Sequence, residues 1–193
     1  MKTIAITGGI GSGKSLAGEL IKNKGYIVID ADNISRDLTA KGKKGYEGIV
    51  KVFGESFLKE DGTLDRKKLA DKVFSNKESL NKLNKVMHPL IEIELDKLLE
   101  SYNDKQYVFI LMPLLFELGW QNHFDKVWLI LVDEKIRILR VMQRDKSKQS
   151  DVKKRIKNQI IHENIISIAH NVLYNNSSKE EFKASIVEAL KTL

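Results

Sequence analysis

The sequence predicts an α/β fold with a five-stranded parallel sheet, and three observations support this prediction. Residues 1–30 alternate between an apolar run, a glycine-rich loop, a helical pattern and a second apolar run, which is the order of a βαβ unit. Three later apolar runs are short and bounded by polar residues, as is typical of strands buried on both faces. Between the second and third runs, about 75 residues show only helical spacing, which indicates a helical insertion.

Each predicted element follows from its local pattern. Short apolar runs predict strands at 3–7, 26–30, 107–112, 127–132 and 171–174. Helical spacing predicts helices at 15–24, 46–53, 66–74, 80–98, 134–144, 150–167 and 179–193. This pattern divides the chain into three parts. The core comprises residues 1–35, 105–135 and 168–193. The insertion comprises residues 36–104, and a pair of basic helices comprises residues 136–167.

The composition predicts a folded protein that is neither secreted nor embedded in a membrane. Of the 193 residues, 42% are hydrophobic and 31% are charged, as is usual for a globular domain. The absence of cysteine excludes disulfides, cysteine zinc sites, iron–sulfur clusters and thiol nucleophiles. No apolar segment approaches the ~20 residues of a membrane span, and the N-terminus lacks the apolar core of a signal peptide. We expect a cytoplasmic monomer.

The charge balance leaves three interpretations open. The chain has 33 basic and 26 acidic residues, for a net charge of +7. This excess of positive charge can indicate binding to a nucleic acid, binding to an anionic small molecule, or only a lysine-rich surface. Only six of the basic residues are arginine, so the positions of the arginines are the more informative observation.

The strongest motif is a phosphate-binding loop at residues 8–15. GGIGSGKS matches the pattern G-x-x-x-x-G-K-[ST] and lies between a predicted strand and a predicted helix. In such a loop the backbone N–H groups surround a phosphate, and the helix N-terminus adds a partial positive charge. Lys14 is placed to reach the β and γ oxygens, and the Ser15 hydroxyl can bind Mg²⁺.

The loop by itself does not identify the phosphate acceptor. A GTPase would contain Asn-Lys-x-Asp, and no Asn-Lys pair in this chain has Asp two residues after the lysine. A helicase or large ATPase would need a longer chain and an acidic pair after a strand, whereas the third predicted strand ends in Ile-Leu-Met-Pro. A small-molecule kinase fits best.

Two carboxylates, Asp30 and Asp32, end the second predicted strand. They lie at the carboxyl edge of the sheet, where open α/β sheets bind ligands. Asp32 can act as a general base toward an acceptor hydroxyl, or it can cap the helix that follows. Asp30 has a similar ambiguity between a magnesium site and a cap, and residue types alone leave both questions open.

Six motifs in this order and spacing resemble the dephospho-coenzyme A kinase family along essentially the whole chain. They are ITGGIGSGKS, VIDAD with Arg36, GTLDRKKLADKVF, LNKVMHPLI, MPLLFE and LRVMQRD. The resemblance implies a three-layer P-loop kinase fold with a helical substrate-binding insertion and a lid. It also implies ATP-dependent phosphorylation of the ribose 3′-hydroxyl of dephospho-coenzyme A, with Mg²⁺, in the last step of coenzyme A synthesis.

The resemblance also implies site residues. Asp32 is the expected base, and Lys14 and Arg140 are the other expected catalytic residues. ATP is expected at Gly9, Ile10, Gly11, Ser12, Gly13, Lys14, Ser15, Leu16, Arg140 and Asn175, with the metal on Ser15. The substrate is expected at Asp32, Arg36, His88, Pro113, Leu114, Phe116 and Glu117. For His88 the alternative is a histidine at a helix boundary that only packs or caps.

The arginines cluster in the predicted lid. Arg137, Arg140 and Arg144 recur at i, i+3 and i+7, which places them along one helical face after the fourth strand. The resemblance assigns this segment to a lid that closes over ATP, with Arg140 as the nucleotide contact. A solvated basic face is the alternative, chiefly for Arg137.

The chain departs from the family pattern at a few positions near the nucleotide. Leu16 replaces threonine after the Lys-Ser pair, and the segment around the fifth strand has His170 and Ser177 in place of Asp and Gly. Asn175 is retained. The helix before it, with Gln159 and Glu163, lacks the basic residue usual after that glutamate. These changes concern the contacts on the adenine side.

Two other function classes remain open at this stage. A P-loop kinase of a nucleoside or nucleoside monophosphate would share the loop and the lid but would need a smaller insertion. A nucleic-acid-binding ATPase would need a basic stripe with interleaved aromatic residues. Aromatic residues make up only 7% of the chain and the lysines are scattered, so we expect neither nucleic acid nor a membrane as a partner.

Overall fold

A computed structural model describes residues 1–157, 159 and 163–193. The strands are β1 (Lys2–Gly8), β2 (Ile27–Asp30), β3 (Tyr107–Leu111), β4 (Lys126–Leu131) and β5 (Asn171–Tyr174). The helices are α1 (Lys14–Lys22), α2 (Ala31–Leu38), α3 (Lys44–Phe53), α4 (Arg66–Ser75), α5 (Lys77–Glu100), α6 (Glu134–Asp145), α7 (Gln149–Lys157), α8 (Glu163–Ile166) and α9 (Lys179–Lys191).

The five strands form one parallel sheet in the order β2-β3-β1-β4-β5. The predicted α/β fold with a five-stranded parallel sheet is therefore confirmed. β1 lies at the centre, where Ile4 is paired with Phe109 on one side and Lys126 on the other. Because all strands run the same way, their carboxyl ends meet at one edge, and the loop after β1 begins at this edge.

The sheet is buried on both faces, which explains why its strands are continuous apolar runs rather than alternating ones. Ile4, Ala5 and Ile6 are all fully buried, although successive side chains point to opposite faces. On one face, α1 and α9 cover a cluster that includes Phe109 and Trp128, whose rings pack edge to face 5.3 Å apart.

The chain divides into two compact units. The first comprises Met1–Asp30 and Asn103–Leu193, and it contains the sheet. The second, Ala31–Tyr102, contains α2 to α5 around a separate apolar cluster of Ile49, Leu64, Leu69, Val73 and Met87. The division into an insertion at 36–104 and a lid at 136–167 stays a prediction, and α2 with Asp32 and Arg36 falls in the second unit.

One local prediction and one alternative are wrong. The segment 150–167 does not form one continuous helix, because Gln159 is a bend between α7 (Gln149–Lys157) and α8 (Glu163–Ile166). The residues 158 and 160–162 of this predicted helix lie outside the described residues. His88 is not at a helix boundary, because α5 continues through Pro89 as far as Glu100. Pro89 has no N–H for the helical hydrogen bond, and the packing of α5 on α2, α3 and α4 compensates for that loss.

The start of β1 is joined to the start of β4 by Asp125. Its Oδ2 accepts hydrogen bonds from the backbone N–H of Thr3 (2.7 Å) and from its hydroxyl (2.8 Å). The backbone hydrogen bond is the largest cause that lowers the pKa of Asp125, and burial opposes it. The ionised carboxylate therefore stabilises the folded state above its usual pKa, and this contribution disappears as the pH falls through the lowered value.

We expect Asp125→Asn to unfold more easily than the unaltered protein at pH 7, by about 1 kcal/mol or less, because the charged acceptor is lost. The difference should shrink as the pH falls below 3.8, the usual value for this carboxyl, because the aspartate of the unfolded chain then takes up a proton while the lowered pKa keeps the folded one ionised. Urea unfolding at pH 7 and at pH 3 measures both effects. Asp71→Asn, an exposed position on α4, controls for the lost charge. A difference that does not change with pH would contradict the assignment.

Candidate active site

The phosphate-binding loop connects β1 to α1 at the carboxyl edge of the sheet. Gly11 and Gly13 adopt left-handed backbone conformations, with φ of 75° and 99°, which favour glycine. The Lys14 ammonium donates hydrogen bonds to the carbonyl oxygens of Gly8 (2.6 Å) and Gly9 (3.2 Å). Ser15 follows in the first turn of α1 with an exposed side chain. The loop thus brings an ammonium and a hydroxyl together with the helix N-terminus.

Asn175, just after β5, fixes the far side of this loop. Its carboxamide is 3% exposed, and its Nδ2 donates a hydrogen bond to the Ser12 carbonyl oxygen (2.8 Å). A Cβ on Gly13 would overlap this Nδ2 atom, so the fit requires glycine at position 13. The structure therefore brings the predicted residue Asn175 onto the loop as a support for its backbone.

Arg140 also lies next to Asn175. Its Nη2 donates to the Asn175 Oδ1 atom at 3.3 Å. Its Nη1 is buried, and no hydrogen-bond partner for it is found among the described residues. A buried guanidinium N–H without a partner is costly, so this edge of the loop is prepared for an anion. The predicted residues Gly13, Arg140 and Asn175 are thus neighbours.

The predicted lid arginines do not share one environment. Arg137 is buried, so the alternative of a solvated face is wrong for it. Its Nε donates to the Ile10 carbonyl oxygen (3.0 Å) and its Nη2 to Gln159 Oε1 (2.9 Å). Burial lowers the pKa of Arg137, and the charge of Glu134 partly opposes this. Arg144 is exposed and pairs with the adjacent Asp145.

The Ile10 and Leu16 side chains pack against apolar residues. Ile10 packs against a small cluster of Ile138, Val141 and Val152 from α6 and α7, and Leu16 packs against the main core. Their expected contact with ATP stays a prediction.

A cleft adjoins the start of the loop. It is lined by Thr7, Gly8, Gly9, Pro113, Phe116, Glu117, Leu129 and Gln159. Pro113 follows β3, where its missing N–H removes no ladder hydrogen bond, and the turn after it is held by the hydrogen bond from Leu118 N–H to Leu114 O (3.0 Å). Three of the four residues expected from PLLFE thus line the cleft, and Leu114 lies in the same turn.

The other three substrate residues belong to the second unit. Asp32 and Arg36 are exposed one turn apart on α2, which begins at Ala31, so Asp32 lies inside the first helical turn. His88 is partly buried on α5, and burial is the main cause that lowers its pKa, while the charge of Glu92 raises it. His88 is therefore neutral near pH 7.

His170 explains one departure from the family pattern. Its Nδ1 accepts a hydrogen bond from the Val127 N–H (3.1 Å), and the backbone N–H of His170 donates to the Val127 carbonyl oxygen (2.8 Å). A histidine therefore supplies the acceptor at the start of β5. His170 precedes β5 and therefore lies at the end of this strand opposite to the carboxyl edge.

A glycine loop that presents Lys14 and Ser15 at the carboxyl edge of a parallel sheet places the chain in the P-loop class of nucleotide-binding proteins. The model of the family described as dephospho-CoA kinase matches residues 2–181. The chain belongs to the dephospho-CoA kinase family. Kinases of this family phosphorylate dephospho-coenzyme A with ATP, in the last step of coenzyme A synthesis.

Individual relatives agree with this. A dephospho-CoA kinase of Fusobacterium nucleatum is 38% identical over 190 residues, which cover 98% of this chain and 97% of the relative. A crystal structure of a Thermus thermophilus protein matches with a TM-score of 0.85 at 34% identity, over 100% of this chain and 97% of the other. The dephospho-CoA kinase of Campylobacter jejuni matches with a TM-score of 0.70 at 29% identity, over 98% and 95%.

Sequence reasoning did not find the roles of Arg137 and Gln159 at the loop. The helical spacing grouped Arg137 with the other arginines, but it does not tell which of them is buried. Gln159 was noted only as part of the predicted helix at 150–167, and nothing in that pattern indicates its contacts with Ile10 and Arg137. Among the described residues, no helix is long and apolar enough to cross a membrane, and no cluster of three or more acidic, histidine or cysteine side chains forms a metal site.

We expect Asn175→Ala to weaken ATP binding by about tenfold and to lower the stability, because it removes the support of Ser12 and the partner of Arg140. Isothermal titration with ATP and thermal unfolding measure the two effects. Asn171→Ala, at the opposite end of β5, is the matched control and should bind ATP normally. Equal ATP affinity in the two variants would rule out this role of Asn175.

Proposed function

We propose that this chain transfers the γ-phosphoryl group of ATP to the ribose 3′-hydroxyl of dephospho-coenzyme A. The observation that supports this most directly is the cleft that joins Gly8 and Gly9 of the phosphate loop to Pro113, Phe116 and Glu117 of the PLLFE motif. A donor site and an expected acceptor site therefore share one wall, as an in-line transfer requires.

The donor side uses the loop and its supports. The phosphates of ATP bind to backbone N–H groups of the loop from Gly9 to Leu16, except that of Ile10, which donates to Gln159 Oε1. Lys14 turns from the Gly8 and Gly9 carbonyls to the β and γ oxygens. Arg140 offers its buried guanidinium to the same phosphates and stabilises the charge that spreads over the transferred group. Asn175 holds Arg140 and the loop in place.

Mg²⁺ fits the residues at the loop. The exposed Ser15 hydroxyl offers one oxygen ligand, and Mg²⁺ in kinases takes its other ligands mainly from phosphates and water. When bound, the ion neutralises charge on the β and γ phosphates.

The substrate residues expected from the family resemblance have separate roles. Asp32 accepts the proton of the 3′-hydroxyl as that oxygen attacks phosphorus. Arg36, one turn later, pairs with an anionic part of the substrate. His88, kept neutral by burial, acts as a hydrogen-bonding group rather than as a cation. Phe116 packs on the base or the pantetheine arm, and Pro113, Leu114 and Glu117 complete the wall.

We also propose that the protein works in the cytoplasm as a monomer, without nucleic acid or a membrane as a partner. Of the arginines at Arg36 and along α6, Arg137 and Arg144 have protein partners, which leaves Arg36 and Arg140 as the cations for a phosphate ligand. Light scattering during size-exclusion chromatography tests the monomer, and a dimer would refute it.

The substrate assignment predicts a selective reaction. In a coupled assay of ADP release, dephospho-coenzyme A should be phosphorylated, while adenosine, AMP, CMP and uridine should not. The reason is that a helical unit of about 70 residues is larger than a nucleoside acceptor needs. Turnover of only a nucleoside or nucleoside monophosphate would overturn the proposal.

Asp32→Ala should lower kcat by 10²-fold or more, on the order of the usual contribution of a general base, and should leave ATP affinity unchanged. Asp37→Asn removes a charge from an exposed position on the same helix and should keep normal turnover. Near-normal kcat in Asp32→Ala would exclude Asp32 as the base.

Lys14→Ala should lower both ATP affinity and kcat, because the ammonium binds the β and γ oxygens in the ground state and in the transition state. Titration with ATP and steady-state kinetics separate the two effects. Loss of only one of them would contradict this double role.

A further inference from the structure

Gln159 is fixed in one orientation by two donors. Its Oε1 accepts a hydrogen bond from the Ile10 N–H (2.7 Å) and another from Arg137 Nη2 (2.9 Å). A backbone N–H and a guanidinium can only donate, so the carboxamide oxygen must face them. The NH₂ group of Gln159 is therefore the part of the side chain that remains to donate to another group.

The surroundings make this orientation rigid. Arg137 is buried and donates through Nε to the carbonyl oxygen of Ile10 (3.0 Å), so both backbone polar groups of Ile10 are bound by side chains. The Arg137 carbonyl oxygen and Val141 lie so close to Gly11 that an added Cβ would approach each to 3.0 Å. Neither the loop nor the Gln159 carboxamide can rotate without breaking these contacts.

Gln159 also lines the cleft beside the loop. The same cleft is bounded by Gly8 and Gly9 of the loop and by Phe116 and Glu117 of the opposite wall. In the reaction proposed above, the transferred phosphoryl group passes through this space. Its oxygens carry negative charge and accept hydrogen bonds, which an NH₂ group complements.

We propose that Gln159 donates a hydrogen bond from Nε2 to an oxygen of the γ-phosphoryl group, and that Arg137 is the positioning residue that holds it there. The ligand in this inference rests on the proposed function, because it takes ATP as the phosphoryl donor. The orientation of the carboxamide comes from the hydrogen bonds alone.

Gln159→Glu is the sharpest test. The substitution keeps the acceptor oxygen for Ile10 and Arg137 and gains an ion pair with Arg137, but it replaces the donor by a second acceptor with negative charge. A merely structural glutamine would tolerate this change. A glutamine that binds the γ-phosphoryl group would not.

We expect Gln159→Glu to remain folded, with a melting temperature at or above that of the unaltered protein. Its affinity for ATP should fall by about 10- to 100-fold while its affinity for ADP, which has no γ-phosphoryl group, stays within about twofold. Isothermal titration with each nucleotide gives the ratio. Gln149→Glu, an exposed position at the start of α7, controls for the added charge and should bind both nucleotides normally.

The other outcomes overturn the inference. Unchanged ATP affinity would show that Nε2 does not contact the ligand. An equal loss of ATP and ADP affinity would show that Gln159 supports only the loop. If Gln159→Glu does not fold, Gln159→Met, which is uncharged and of similar length, is titrated with the same two nucleotides and judged by the same ratio.

Arg137 is tested by Arg137→Lys, which keeps the charge but cannot bridge Ile10 and Gln159 with two nitrogens. This variant should reproduce the selective loss of ATP affinity, and an unchanged ratio would remove Arg137 as the positioning residue. These titrations do not depend on the acceptor. Failure of dephospho-coenzyme A to react would therefore overturn the proposed function and leave the inference about ATP to be decided by the titrations.

Discussion

The close fit between the phosphate loop and the side chains around it is the constraint on which the rest of this site depends. A loop that surrounds a phosphate must turn its N–H groups inward, so its carbonyl oxygens turn outward and need donors of their own. Asn175 supplies one for Ser12, Arg137 supplies one for Ile10, and Lys14 donates to Gly8 and Gly9. The end of β5 and the helix after β4 are thereby tied to the end of β1.

The three arginines of α6 differ in their contacts with this loop. Arg137 is buried and supports the loop, Arg140 lies beside Asn175 with a buried N–H, and Arg144 forms an exposed ion pair with Asp145. All three share one helix and similar spacing. Their roles differ because burial and partners differ, and an exposed ion pair of this kind adds little stability. The net charge of +7 is therefore a poor guide to the number of cations that serve the ligand.

Much of the fold could be predicted from the sequence, because each strand is buried on both faces and reads as an apolar run. The phosphate loop was equally clear, since glycine, lysine and serine are each required by its geometry. The bend at Gln159 was not predictable, because the helical pattern continues through this position. The continuity of α5 through Pro89 depends on packing rather than propensity. The role of Gln159 could not be predicted, because it depends on contacts with Ile10 and Arg137, which are 149 and 22 residues away in the sequence.

The strand order has a consequence for how the chain folds. β1 is the central strand, but both of its neighbours come much later in the sequence. Ile4 of β1 pairs with Phe109 of β3 and with Lys126 of β4. β1 therefore stays without its sheet neighbours during synthesis until β3 (Tyr107–Leu111) has been made. The intervening unit has its own apolar cluster, so it can collapse earlier on local contacts. The rate of folding of the sheet is then governed by the entropy of closing this long loop, and a folded intervening unit shortens the flexible length that must be closed.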